Sequence, residues 1–331
     1  MSGSAPVYPV RGRTAWILAQ RPPRARRPDP FTAHGVFLER ERLATGAVEA
    51  SGVVLLTNRE CPWRCVMCDL WKDMLEDSVP EGAIARQVET AVRTWAQAGP
   101  LPAQVKLYNS GSFFDPAAVP LADYAPVARH LAFARHVVVE SHPRLVGDRS
   151  RTLQSLLAGS LEVALGLETA HPQVLQKLNK RFDLPQFARA AEFLAAHGIA
   201  LRAFILVNPP FMDAREGVTW AVRSAAFAFS CGASAVALIP TRTGNGAMER
   251  LLASGEFTPP TLTALEAAQR GALALGQGRV FADTWGLEPF SACDRCFTAR
   301  RERLDAVNLA QRDLPAVRCD HCGGESGPEL A

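Results

Sequence analysis

Ser51-Gly52-Val53-Val54-Leu55-Leu56-Thr57 runs without a break into Asn58-Arg59-Glu60-Cys61-Pro62-Trp63-Arg64-Cys65-Val66-Met67-Cys68-Asp69. The first half is a short apolar, β-branched run of the length of a buried strand, and residues 53–57 are read as one. The second half is a loop with three cysteines at CxxxCxxC spacing. Thiolates are soft ligands, and three of them on one loop can wrap a single iron–sulfur cubane. Three ligands for four irons leave one iron to which a small molecule can bind. The same spacing alone also fits a structural zinc loop or unrelated thiols.

Downstream of this loop, short β-branched runs alternate with helix-period segments. Strands are expected at 105–108, 136–139, 162–167, 200–207 and 234–239, and helices near 81–98, 121–134, 151–158, 185–197 and 217–230. Pro172 and Pro185 suit first helical turns, and Gly198 and Gly232 suit helix ends. Six β/α units in succession imply a parallel sheet with helices outside it, fewer than the eight units of a complete barrel. A further helix over 260–276 and a last strand at 279–283 follow. The fold class is therefore α/β, a partial (β/α)6 TIM-like barrel. It has an N-terminal extension (1–50), a core (51–283) and a small C-terminal four-cysteine metal module (284–331).

Each expected strand runs into a polar loop at its C-terminal end. After the Cys61 loop come Asn109-Ser110-Gly111-Ser112, Glu140-Ser141-His142, Glu168-Thr169, Asn208-Pro209 and Thr241-Arg242-Thr243-Gly244. That end carries the chemistry in β/α barrels. Glu140 closes the apolar run Val137-Val138-Val139 and should sit at the rim, where it also suits a helix cap. The 109–112 loop contains a glycine that lets backbone approach a ligand, or it is an ordinary turn.

The 331 residues are 48% hydrophobic and 21% charged, as expected of a globular protein with a filled core. No apolar run reaches the ~18 residues of a membrane span, and no secretory pattern opens the chain, so a cytoplasmic protein is expected. A net charge of +3 does not by itself announce a nucleic-acid partner. The basic side chains do gather early, at Arg11, Arg13, Arg21, Arg24, Arg26 and Arg27. This arm could meet phosphates or could be a solvated tail.

Seven of the eight cysteines are clustered, and Cys231 stands alone in an apolar stretch, as a small core residue would. Cys293-Asp294-Arg295-Cys296 and Cys319-Asp320-His321-Cys322, with 22 residues between them, form two CxxC knuckles. Four thiolates so spaced favour a tetrahedral zinc site, with an auxiliary iron–sulfur cluster as the alternative. Gly323 and Gly324 supply a tight turn after the second knuckle.

The cysteine spacing, its place after the first strand and the β/α succession resemble the radical S-adenosylmethionine enzymes. The resemblance implies a 4Fe–4S cluster on Cys61, Cys65 and Cys68 whose open iron chelates S-adenosylmethionine. Reductive cleavage of that cofactor would give a 5′-deoxyadenosyl radical that abstracts hydrogen from substrate. By the same resemblance Met67 takes a position that is often aromatic and touches adenine. Asn109, Ser110, Gly111 and Ser112 stand for the Gly-Gly-Glu loop at the methionyl amine, without its acid. Glu140 would lie near the ribose or methionyl end, and Arg202 would face the methionyl carboxylate or form a plain salt bridge. Val163-Ala164-Leu165-Gly166-Leu167-Glu168-Thr169, with Val174-Leu175-Gln176-Lys177-Leu178-Asn179-Lys180 after it, resembles a fourth-strand motif in which Gln often stands at the place of Glu168.

Thr57 to Cys65, Cys68-Asp69-Leu70-Trp71-Lys72, Tyr108-Asn109-Ser110-Gly111-Ser112-Phe113-Phe114-Asp115 and the paired CxxC most resemble the Elongator-like branch and, within it, the archaeosine-synthesis radical enzymes. That likeness implies a 7-deazaguanine-type nucleoside in tRNA as substrate, with carbon–nitrogen cleavage. It also implies a reductase such as flavodoxin or ferredoxin, and a partner enzyme that supplies the substrate. A radical enzyme for a small molecule or natural-product precursor, and a noncatalytic RNA-binding protein that keeps a cluster, remain as alternatives.

Overall fold

A computed structural model describes residues 7–24 and 27–322, so Arg26, Gly323 and Gly324 lie outside the described residues. Eight strands form one sheet in chain order: β1 (Gly35–Arg42), β2 (Val48–Leu55), β3 (Gln104–Tyr108), β4 (His136–Ser141), β5 (Ser160–Glu168), β6 (Ala200–Val207), β7 (Ala235–Pro240) and β8 (Arg279–Ala282). β1 and β2 are an antiparallel hairpin, and every later pairing is parallel. The six expected β/α units and the last strand are β2 to β8. The N-terminal extension adds β1 to the same sheet.

A helix, α1 (Arg13–Gln20), precedes the sheet. The crossovers are α2 (Ala83–Ala98), α3 (Tyr124–His130), α4 (Asp148–Leu156), α5 (Pro172–Lys177) with α6 (Leu184–Ala196), α7 (Gly217–Ser230), and α8 (Ala247–Ala253) with α9 (Leu262–Leu273). α10 (Asp294–Ala310) follows β8. Asp183 starts α6 with a capping box, and Thr261 caps α9. Between sheet and helices, Val54, Leu107, Val139 and Leu165 pack with Ile84, Val88, Phe187 and Leu265 in one apolar core. Cys231 is half-buried and packs against it. At Gly52 the Trp95 indole lies so close that an added Cβ would meet it at 2.7 Å, so α2 rests directly on the β2 backbone.

The sheet is curled. Glu41 on β1 accepts a hydrogen bond from Arg202 on β6 at 2.6 Å, although five strand spacings of ~4.8 Å would separate them by ~24 Å if the sheet were flat. The interior at the strand N-terminal end is filled by charge. Arg202 also pairs with Glu162, Arg279 with Glu162 at 3.0 Å, and Lys106 with Glu39 and Glu41. Gln104 donates to Glu41 at 3.1 Å and to Ser51 at 3.0 Å.

This network corrects the reading of Arg202 as a ligand for a methionyl carboxylate. Arg202 is only 2% exposed, and its guanidinium is spent on Glu41 and Glu162 at the barrel floor, away from the cysteine loop. An inward-facing position is legible from alternation along a strand. The end of the barrel at which it sits depends on register, and Arg202 lies beside Ala164 and Ala235 near the start of β6.

The barrel stays open between β8 and β1, and α10 bridges the gap. Asn308 accepts from Ala282 N and donates to Ala282 O, both at 2.8 Å. Gln311 does the same for Val280 at 2.7 and 3.0 Å. Two amide side chains thus serve the free edge of β8 as a ninth strand would. On the other side of the gap, Arg42 donates to Leu309 O. An Asn308→Leu variant is expected to lose about 2 kcal/mol of stability in a urea titration, because it leaves both Ala282 groups without partners. A loss below ~0.5 kcal/mol would mean that this edge is satisfied in another way.

Candidate metal centre at the barrel mouth

At the strand C-terminal end, the cysteine loop is fixed by neighbours from four directions. Val66 N donates to Leu178 O at 3.0 Å. Asn179 Nδ2 donates to Arg64 O at 2.7 Å. Asn245 Nδ2 donates to Val66 O at 2.7 Å and Cys68 O at 3.1 Å, while its Oδ1 accepts from Met248 N at the start of α8. Trp63 stacks flat on His142, with ring centroids 3.7 Å apart. Burial lowers the His142 pKa to about 3, so its neutral ring can donate from Nε2 to Lys180 O while Nδ1 accepts from Arg144 N.

Cys61, Cys65 and Cys68 are half-buried, and burial pushes each thiol up to about 12. Each thiolate also disfavours another. Such thiols stay protonated at neutral pH unless a metal centre supplies compensating positive charge.

The loop after β3 lies against them. A Cβ on Gly111 would come 3.2 Å from Cys61 Cβ. Glu140 accepts from the backbone N–H groups of Asn109 and Ser110, and Ser112 bonds Ser141 at 2.8 Å. Burial raises the Glu140 carboxyl to about 7, and the backbone N–H groups of residues 109–111 oppose that rise. The structure therefore gathers Asn109, Ser110, Gly111, Ser112 and Glu140, with Glu140 holding the loop in shape. The Asn109 side chain is fully buried, and neither its Oδ1 nor its Nδ2 has a partner. Such a pair is normally satisfied, so it suits a polar ligand.

Glu168 accepts from Lys180, which passes over Gly166, where an added Cβ would collide with Nζ. Burial would lower the Lys180 pKa, but Glu168 together with Cys65 and Cys61 outweighs it and Lys180 remains charged. Five of the seven non-glycine residues with positive φ among the described residues lie on this face: Ser110, Glu168, Asn179, Arg181 and Asn208. Backbone strain is thus concentrated here. Lys180, Asn245 and the Trp63–His142 stack were not singled out as site groups from sequence. Lys180 lies well beyond the strand-end loop at 168–169 and only tertiary packing returns it, whereas Asn245 directly follows the loop at 241–244 and was reachable from it.

The N-terminal arm straps the same loop. Arg21 and Arg24 each reach Glu60, the residue before Cys61, at 2.8 Å, and Arg64 joins them at 3.2 Å. Arg21 also lies over the Trp71 ring at 4.4 Å. Tyr8 and Ile17 are buried with Val66, Leu178 and Met248, and Met67 packs against this cluster. Arg21 and Arg24 are therefore neither a solvated tail nor free to meet phosphates. Arg27 is exposed.

At the other end of the chain, the sulfurs of Cys293, Cys296, Cys319 and Cys322 lie within 4.8 Å of one another, with Cys296 and Cys322 3.9 Å apart. Bonds of ~2.3 Å to one tetrahedral ion put sulfurs ~3.8 Å apart, so this group can hold a single metal ion. The backbone N–H groups of Cys322 and His321 lower the Cys319 thiol to about 7. No helix among the described residues is long and apolar enough to cross a membrane.

No protein-family model matches the chain. The β subunit of archaeosine synthase from Methanosarcina acetivorans is 25% identical over 296 residues, 84% of each chain. An uncharacterized protein of Methanocaldococcus jannaschii is 23% identical over 261 residues, 75% of this chain and 72% of its own. Among solved structures, archaeal Elp3 from Methanocaldococcus infernus, with residues 1–46 deleted, superposes with a TM-score of 0.51 at 10% identity. That match covers 67% of this chain and 59% of the Elp3 chain, so the chain spans less than two thirds of it. The curled sheet, its strand order and this superposition give the chain the fold that archaeal Elp3 has.

Proposed function

We propose that the chain is a radical S-adenosylmethionine enzyme with a 4Fe–4S cluster on Cys61, Cys65 and Cys68 and zinc on Cys293, Cys296, Cys319 and Cys322. Its substrate is a 7-deazaguanine-type nucleoside in tRNA. The observation that carries this reading is the juxtaposition at the barrel mouth of three half-buried thiols, the unpartnered Asn109 amide and the charged Lys180. When bound, the cluster and S-adenosylmethionine supply a carbon radical able to take a hydrogen beside nitrogen, after which a carbon–nitrogen bond breaks.

The chain's own residues bind and shield. Asn109 offers both a donor and an acceptor to the polar end of the cofactor, and Gly111 lets the backbone come close. Lys180, held by Glu168, would offer a cation to the cofactor's carboxylate. Met67, packed against the apolar cluster of the arm, would offer its backbone to adenine. The arm, the Trp63–His142 stack and Asn245 keep water and movement away from the cysteine loop. Flavodoxin or ferredoxin would supply electrons, and a partner enzyme the substrate adduct. The likeness to an archaeosine synthase subunit supports the nucleoside reading.

The test is an anaerobic reaction with dithionite and S-adenosylmethionine, with and without tRNA that carries the 7-deazaguanine-type adduct. Formation of 5′-deoxyadenosine is expected to rise at least tenfold with the modified tRNA. Equal formation with unmodified tRNA, or with none, would contradict this substrate.

A further inference from the structure

The arm's arginines divide into two groups. Those at 21 and 24 surround Glu60, whereas Arg11 and Arg13 line a groove of about 840 Å³ between the arm and the α5–α6 segment. Arg181 lines the same groove, and Arg144 flanks it, donating to Arg181 O at 3.3 Å. Among the described residues, none of these four forms an ion pair with a carboxylate. Asp183 is the one acidic residue of the lining, and its side chain is engaged in capping α6. Four guanidinium groups thus face one carboxylate and leave the groove net positive; Arg13 also donates to Pro9 O and Gln176 O, and guanidinium suits the bidentate recognition of phosphate oxygens.

The groove is joined to the metal site by one strained turn. Asn179 and Arg181 both have positive φ, 61° and 66°, and flank Lys180. Their three side chains leave in three directions. Asn179 turns inward to Arg64 O of the cysteine loop, Lys180 reaches Glu168 over Gly166, and Arg181 is exposed in the groove. A polyanionic strand seated in the groove would therefore run beside the barrel mouth.

We infer that this groove binds the sugar–phosphate backbone of the RNA that carries the substrate nucleoside, a role that rests on the tRNA reading above. Phosphates held by Arg11, Arg13, Arg144 and Arg181 fix the register of the strand, and one nucleoside turns out of the stack into the mouth, as enzymes acting on bases require. The arm then serves both purposes, with residues 21–24 clamping the cysteine loop and residues 11–13 forming one wall of the groove.

The test is fluorescence anisotropy of labelled bulk archaeal tRNA with the full-length reconstituted protein, across a salt series. Arg11→Glu/Arg181→Glu and Arg144→Glu/Arg181→Glu are expected to weaken binding at least tenfold and to flatten its salt dependence. Arg93→Glu on α2 serves as a surface control and should bind as wild type. Circular dichroism and iron content identify any variant that fails to fold, and Arg181→Gln, which removes the charge alone, should show an intermediate loss. Wild-type-like binding by both double variants would overturn the groove while leaving the tRNA reading standing, as would an equal loss in Arg93→Glu. Failure of the wild type to bind tRNA at low salt would overturn both. Binding of flavodoxin but not tRNA, lost in the same variants, would reassign the groove to an acidic protein and overturn the RNA role.

Discussion

Arg202→Met is expected to destabilise the protein by about 3–5 kcal/mol, measured as a shift of the urea midpoint at constant slope. The side chain is 2% exposed and lies between Glu41 and Glu162, both also buried. Breaking a buried network from one side leaves charges that neither water nor protein compensates, and that desolvation cost dominates the loss. Lys106 and Arg279 remain near the two carboxylates, which keeps the effect below complete unfolding. Burial opposes ionisation of Glu41, but Arg202 and Lys106 outweigh it and hold its carboxyl far below the ordinary 4.5. Glu162 is lowered in the same way. With folded values below unfolded ones, the network's contribution is complete above about pH 4.5 and drains as the pH falls further. The variant should therefore lose less than wild type on acidification. A cost under ~1 kcal/mol would show that the barrel floor is held by its apolar surroundings instead.

Cys65→Ala is expected to abolish iron retention at the barrel mouth, from about four irons per chain to fewer than one after anaerobic reconstitution. The loop offers three thiols and, with one removed, the nearby Asp69 carboxylate is a hard oxygen donor poorly matched to an iron–sulfur cluster. Lys180 and Arg64 are cations, Glu168 is engaged by Lys180, and His142 is closed on both ring nitrogens. Zinc at the four-cysteine group should persist in this variant, because that group is built on different elements. Conversely, Cys296→Ser should release zinc and leave mouth iron in place. Retention of four irons by Cys65→Ala would place the cluster elsewhere.

Much of the fold was open to reading because it depends on local periodicity. Each of β2 to β8 contains a short apolar run, and α2, α6, α7 and α9 follow their apolar spacing to within a few residues. The strand-end loops share one face because parallel pairing leaves no other arrangement. What escaped was set by distance. The Arg202 network joins strands five apart, the arm reaches Glu60 from some 36 residues upstream, and Asn245 lies 177 residues beyond Cys68. No local pattern encodes such contacts. Charge counting likewise could not divide Arg21 and Arg24, which are neutralised, from Arg11 and Arg13, because the division depends on where Glu60 and Asp183 fall after folding.

The most direct measurement is anaerobic cleavage of S-adenosylmethionine by the reconstituted protein under dithionite, with 5′-deoxyadenosine, iron and zinc quantified on the same samples. Product from the wild type that vanishes in Cys65→Ala, with iron lost and zinc kept, is the predicted result. Product that persists in Cys65→Ala, or iron found only at Cys293, Cys296, Cys319 and Cys322, would contradict the assignment of the barrel mouth.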